Sequence, residues 1–237
     1  FVVLFFGKRP LIRYFYFFCK KSFSRREIKG LAYVGIPIGS QMLLETLGMS
    51  LSSIMVGWFG AVALASHQIA MNLSSLTFMI SSGLASATTI RVSHQIGVKD
   101  FKSMRKAGIA STHLSLVFSC VCAIILFFFR VQIASAFSVD PEVLELSSLL
   151  IAIVAIYQFG DGFQVVSIGA LRGMSDVYAP MVVAIVCYLI VNLSMAYLLA
   201  VIFSWGAVGV WIAFMIELYL AAILLGLRFR HKTKLYR

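Results

Sequence analysis

Uncharged apolar stretches along this chain outlast any helix or strand of a soluble domain. Between Gly30 and Ile90 the only formally charged residue is Glu45, and the stretches Ala107 to Phe129 and Val177 to Ile216 have none. A bilayer core about 30 Å thick takes roughly 20 apolar residues per helix, so the first and last of these runs each hold two spans. Turn residues mark the divisions: "GWFGA" at 57–61, with the interfacial-type Trp58, and "FSWGAVG" at 203–209, with Trp205. The pattern predicts an all-α membrane protein, a six-helix transmembrane bundle with helices at about 31–56, 61–89, 107–129, 146–170, 178–202 and 207–227. The alternation of a membrane barrel is absent. The likeness of the two Trp-bearing turns reads as interfacial aromatics beside short connections rather than as an internal repeat.

Composition agrees: 61% of residues are hydrophobic and 12% charged, with a mean hydropathy of +0.96. The formal charge of +11 raises the question of nucleic acid, and its distribution answers it. With six spans, all but Arg130 of the 20 lysines and arginines fall on one side of the membrane: Lys8 to Lys29, Arg91 to Lys106, Arg172, and Arg228 to Arg237. This is the positive-inside pattern of a multi-pass protein with both ends cytoplasmic, expected in a cell membrane such as the bacterial inner membrane. The basic clusters are topology determinants, and no nucleic-acid partner is implied. Residues 1–30, which open "FVVLFFGKRP" without a methionine, read as the end of a preceding helix and a basic linker; 31–227 form the lobe; 228–237 form a basic cytoplasmic tail. Cys19, Cys120, Cys122 and Cys187 have neither CxxC nor zinc-ligand spacing and read as packing residues.

Of nine acidic residues, only Glu45, Asp161 and Glu217 fall inside predicted spans. A carboxylate in hydrocarbon is costly, about 2.5 kcal/mol or more, so such residues face polar cavities or bind something. Tyr157, Asp161 and Gln164 share one helix face, flanked by Gly160 and Gly162; Gln41, Glu45 and Met49 share another, continued by Ser52; Gln68, Asn72 and Ser75 form a third. Three polar stripes in three helices argue for one shared cavity. Glu217 has no such company and reads as a hydrogen-bonded packing acid. Pro37 marks a bend or a tolerated kink. His67 reads as hydrogen-bonded rather than as a proton relay, and His67, His94, His113 and His231 do not make a metal site. No HExxH, GxSxG or phosphate-cradling motif occurs, so no enzyme is expected.

"GIPIGSQMLLETLGMS", "ASHQIAMNLSSLTFMISSGLASATTIRVSHQIG" and "AFSVDPEVLELSSLLIAIVAIYQFGDGFQVVSIGALRGMSD" together resemble the carboxy-terminal lobe of the multidrug and toxic compound extrusion (MATE) transporters, NorM-like branch, over about 30–227. The resemblance implies one lobe of a two-lobe, twelve-helix transporter, with an amino-terminal six-helix lobe as its partner and residues 1–30 as the inter-lobe linker. It implies secondary active efflux: Na⁺ or H⁺ enters as an organic cation or drug-like molecule leaves, with alternating access between lobes and no cofactor beyond the coupling ion. The family's cation site falls on Glu45, Asp161, Tyr157 and Asn72, and positions associated with bound drugs fall on Gln68 and Asp140. Met49 stands where some relatives place an aromatic ring. Gln41, Met49 and Gln164, on the acids' own helix faces, complete the expected substrate contacts. A lipid-precursor flippase or a non-transporting membrane scaffold of related fold is the alternative. A lipid-pyrophosphate carrier would line its cavity with cations, whereas the predicted spans contain acids and no Lys or Arg.

Overall fold

The computed structural model describes residues 24–235. The expected helix end and most of the linker, with Cys19, lie outside the described residues, as does Arg237. Among the described residues the chain is helical: α1 (Arg25–Gly57), α2 (Ala61–Gly97), α3 (Phe101–Phe128), the short α4 (Arg130–Phe137), α5 (Pro141–Gly173), α6 (Tyr178–Ile202) and α7 (Gly206–Leu235). α2, α3, α5, α6 and α7 are each long and apolar enough to cross a membrane. α1 matches them in length, but Ser40, Gln41, Glu45 and Thr46 interrupt its middle and lower its apolarity.

The observed helices overrun the predicted spans because a helix need not stop where the bilayer does. α1 begins six residues early, in the charged "RREIKG" turn, and runs through the buried Pro37 as a single helix. α2 carries Arg91 and His94 in its last turns, so the basic connection narrows to the turn at 98–100, where Lys99 has φ +58°. Asp100 caps α3, its Oδ1 accepting from the Ser103 N–H at 3.0 Å, and hydrogen bonding from Ser103 holds its carboxyl below the usual range. α4 occupies part of what the sequence reads as an outer loop. α5 starts at Pro141, its Asp140 cap accepting from the Glu142 N–H at 3.0 Å. α7 continues to Leu235, and its basic end is tied back: Arg228 Nε lies 2.9 Å and Lys232 Nζ 3.5 Å from Asp176 Oδ2 in the α5–α6 turn.

α5 is the central helix, packed against α2, α3, α4 and α7. Its buried residues lie on every side, which suits a helix with an apolar stretch and few charges. Close approach fixes its neighbours. A Cβ at Gly162 would meet the hydroxyls of Ser115 and Ser119 on α3 at 2.6 Å, and one at Gly169 would strike the Ala85 backbone of α2. α6 mixes α-helical turns with π-helical ones at Ile185–Asn192 and Leu198–Ile202. Large apolar side chains point outward on α3, including Leu114, Val117, Val121 and Phe128, as a lipid-facing surface requires. The two Trp-bearing turns are neighbours, Gly206 facing the Phe59 ring.

Candidate functional site

Where α1, α2 and α5 meet the π-helical part of α6, they leave a cavity of about 340 Å³. α1 contributes Gln41, Glu45 and Met49, one residue per turn of a single face. α5 contributes Tyr157, Asp161, Gln164 and Ile168. α2 supplies a wall of small hydroxyls, Ser74, Ser75, Ser82, Ser86 and Thr89, with Met71 and Phe78, and α6 adds Tyr188. Two of the three polar stripes therefore converge as their spacing implies. Ser52 turns away: it is buried and accepts from Asn192 Nδ2 at 3.2 Å.

Asp161 is 4% exposed, and its Oδ2 has no hydrogen-bond partner among the described residues. Glu45 is half-buried and accepts from Gln41 Nε2 at 2.8 Å. The two carboxylates lie close enough to act on each other electrostatically. Gln164 donates to the Tyr188 hydroxyl at 2.8 Å, and its own Oε1 is buried without a partner among the described residues. Along this wall of α5 the buried side-chain atoms without a partner among the described residues are two acceptors, Asp161 Oδ2 and Gln164 Oε1, and one donor, Arg172 Nε. The idle acceptor on Asp161 suits a cation.

The remaining expected site residues stand elsewhere. Gln68 and Asn72 are exposed and do not line the cavity, although their face of α2 leads through Ser75 to Ser82 and Ser86, which do. Asp140 is exposed and serves as the helix cap of α5. Glu217 corrects its sequence reading: it is 1% exposed, but neither carboxylate oxygen makes a hydrogen bond among the described residues. His67 is fully buried and fully bonded. The Trp211 indole N–H donates to its Nδ1 at 3.1 Å, which puts the ring proton on Nε2, 2.9 Å from Ser53 Oγ. Ser53 in turn donates to the Met49 carbonyl at 3.0 Å. Trp211 also stacks edge-on against Tyr157, with ring centroids 5.9 Å apart, so this network braces the cavity wall from behind.

Sequence reasoning missed Arg172. It belongs to the last turn of α5 and lines the cavity, where Nη2 donates to Gln41 Oε1 at 3.2 Å. The expected cavity of acids without a basic residue is therefore corrected to one holding two carboxylates and a guanidinium. The signal was present in the spacing: Arg172 follows Asp161 by eleven residues, about three helical turns, and so shares its face. Tyr188 had no such signal, because the π turns of α6 displace it from an ordinary helical period.

Among the described residues no group of three or more His, Cys, Asp or Glu side chains is arranged to hold a metal ion. The sequence profile of the MatE family matches residues 37–198. The chain is 39% identical over 209 residues to a probable multidrug resistance protein NorM of Xanthomonas campestris pv. campestris, covering 88% of this chain and 46% of that protein. It is 36% identical over 211 residues to the multidrug resistance protein MdtK of Yersinia enterocolitica, covering 87% and 46%. The chain thus spans about half the length of the curated relatives it matches. A solved outward-facing multidrug resistance MATE family transporter shares the fold, with a TM-score of 0.82 at 19% identity over 90% of this chain and 48% of that one. By profile, sequence and fold, this multi-pass membrane chain belongs to the MatE family, whose members are transporters rather than enzymes.

Proposed function

We propose that the chain forms the ion-coupled half of a secondary multidrug efflux transporter. It exchanges Na⁺ or H⁺ for an organic cation, working with a second six-helix lobe in a bacterial inner membrane and with its ends in the cytoplasm. One observation carries this reading: Glu45 and Asp161, from different helices, meet in one membrane-embedded cavity, and Asp161 keeps an unpaired oxygen there. The relatives' names as multidrug resistance proteins support the substrate class.

Charge sets the mechanism. With both acids ionised, Arg172 offsets one of the two negative charges and leaves attraction for a single positive one. Two unit charges 4 Å apart at an effective dielectric of 20 attract by about 4 kcal/mol, so a small cation at the acids removes most of what holds a lipophilic one. Loading Na⁺ or H⁺ from outside at Asp161 and Glu45, with the Tyr157 hydroxyl beside them, therefore releases substrate outward. It also biases the lobes toward the opposite opening. Gln41, Met49 and Gln164 contact the substrate in the cavity. Asn72, for the ion, and Gln68, for the substrate, extend the α2 wall toward the outer side, where the partner lobe completes the enclosure; Asp140 stands at the outer mouth.

The test is drug uptake into everted vesicles driven by an inward-to-outward ion gradient, with the protein expressed as its gene encodes it. Asp161→Asn inserts at wild-type level and loses ion-driven uptake; full retention would sink the mechanism. A lipid-precursor flippase is the second reading, favoured by Arg172 alone. The surplus of carboxylate over guanidinium in the cavity speaks against an anionic cargo.

A further inference from the structure

α5 is also a wall of a second hollow. Phe159, Gly160 and Phe163 line a groove of about 350 Å³ between α3, α5 and α7, on a different side of the helix from the Tyr157, Asp161 and Gln164 that line the cavity. α7 contributes Tyr219, Ile223, Leu227 and Arg230, one face of that helix at successive turns. Glycine gives the groove depth: a Cβ on Gly226 would stand 2.9 Å from the Phe163 ring, and one on Gly160 3.3 Å from the Tyr219 ring. The Tyr219 hydroxyl donates to the Ile156 carbonyl at 2.9 Å, so the polar end of that ring is already engaged.

Position and length describe part of an occupant. Ile223 and Leu227 are 58% and 57% exposed, and Leu114, Val117 and Val121 of α3 also point outward, so the groove opens on the lipid-facing surface. Tyr219 and Arg230 are eleven residues apart, about 16 Å of helix axis, and half of a 30 Å hydrocarbon core is about 15 Å. An apolar groove that starts at the basic end of α7 and runs that far inward has the length of one acyl chain of the adjacent leaflet.

Charge describes the rest. Arg230 is the charged residue of the lining, and among the described residues it makes no ion pair, because Asp176 is taken by Arg228 and Lys232. Residues 1–23 bring it no counter-ion: they carry Lys8, Arg9, Arg13, Lys20 and Lys21 and no acid. A second copy of this chain, with its formal charge of +11, is repelled rather than drawn to it. A guanidinium offers a phosphate a matched fork of donors, and at the mouth of an apolar groove in a membrane the phosphate at the right depth is that of a lipid.

We propose that this groove is a binding site for an anionic phospholipid, with one acyl chain laid between α3, α5 and α7 along Phe163, Gly226 and Ile223 and its phosphate on Arg230. The site uses none of the residues of the efflux reading and does not depend on it.

The test uses the protein as its gene encodes it, delipidated in detergent and titrated with palmitoyl-oleoyl phosphatidylglycerol or phosphatidylcholine, which share acyl chains and differ in net charge. Bound lipid is counted by native mass spectrometry. Wild type takes up phosphatidylglycerol at lower concentration than phosphatidylcholine. Arg230→Gln raises the apparent Kd for phosphatidylglycerol about five-fold, the worth of one basic residue at an anionic lipid, and leaves that for phosphatidylcholine unchanged. Lys234→Gln removes the same charge from the same helix end, outside the groove lining, and keeps wild-type binding. Ile223→Trp places an indole in the groove from an exposed position and weakens phosphatidylglycerol with Arg230 intact. Equal wild-type affinity for the two lipids overturns the proposal even if no variant folds. Unchanged binding in Arg230→Gln overturns it, as do equal losses in Arg230→Gln and Lys234→Gln, which mark diffuse charge. Full binding in Ile223→Trp overturns it by placing the chain elsewhere. A lipid-free dimer that Ile223→Trp splits overturns it too, making the groove a protein interface.

Discussion

The crossing of α2 and α5 at Gly169 gives a sharp test of how the cavity floor is built. A Cβ on Gly169 would strike the carbonyl oxygen of Ala85 and lie 2.9 Å from both its carbonyl carbon and its Cα. Ordinary contact begins at 3.4 Å, so the two backbones must part by at least about half an ångström at the carbon atoms and by more at the carbonyl oxygen. No flexible side-chain end can absorb this. The Thr89 hydroxyl, which lies 2.8 Å from the Gly169 carbonyl oxygen, would be pulled from that acceptor as well. Such overpacking costs about 1–3 kcal/mol. Replacing glycine by alanine inside a helix also returns about 1 kcal/mol, so a control is needed. Gly83, on α2, has open space where its Cβ would go. Gly169→Ala and Gly83→Ala gain the same helix propensity, and their difference isolates the clash. At roughly 2–4 °C per kcal/mol for a chain of this size, Gly169→Ala should melt about 2–12 °C below Gly83→Ala. The measurement is thermal unfolding of the purified protein in detergent. Equal melting temperatures, or a higher one for Gly169→Ala, would refute the close crossing.

Two further outcomes follow from the same geometry. Trp211→Phe removes the indole donor from the fully buried His67 Nδ1 and should lower stability by about 1–3 kcal/mol. Because Trp211 backs Tyr157, substrate affinity should fall with it; unfolding in detergent and dye anisotropy report the two effects. Asp140→Asn keeps an N-cap oxygen and should melt like wild type, while Asp140→Ala should lose about 1 kcal/mol. Loss of uptake in Asp140→Asn at unchanged stability would give Asp140 a charge role at the outer mouth beyond its cap.

The sequence exposed those features that follow from regular periodicity or from cost. Charge-free runs located the membrane helices because hydrocarbon penalises charge, and the Gln41, Glu45, Tyr157 and Asp161 faces met because α1 and α5 are regular helices. Helix ends were legible only where lipid set them. The extensions of α2 to Gly97 and of α7 to Leu235 lie in charged sequence that helix tolerates as well as coil. Arg172 was hidden by a boundary error: ending the fourth span at 170 moved a cavity residue into a loop. Glu217 resisted for a different reason, since its burial comes from the packing of α7 against α5 and α6, a tertiary fact with no local pattern.

The mixed winding of α6 explains how one helix keeps a straight inner seam. Pro180, Ala184, Tyr188, Asn192, Ala196 and Ala200 are all buried, every fourth residue along the segment. An ordinary α-helix turns about 100° per residue, so an every-fourth row would creep some 40° per step and end on the far side of the cylinder. The wider π turns run slower and cancel that creep. Phase is therefore held by winding rather than by sequence spacing, and loss of one residue between Ile185 and Asn192 would swing the following half of the helix through about a quarter of a circle, taking Asn192 away from Ser52 and toward lipid.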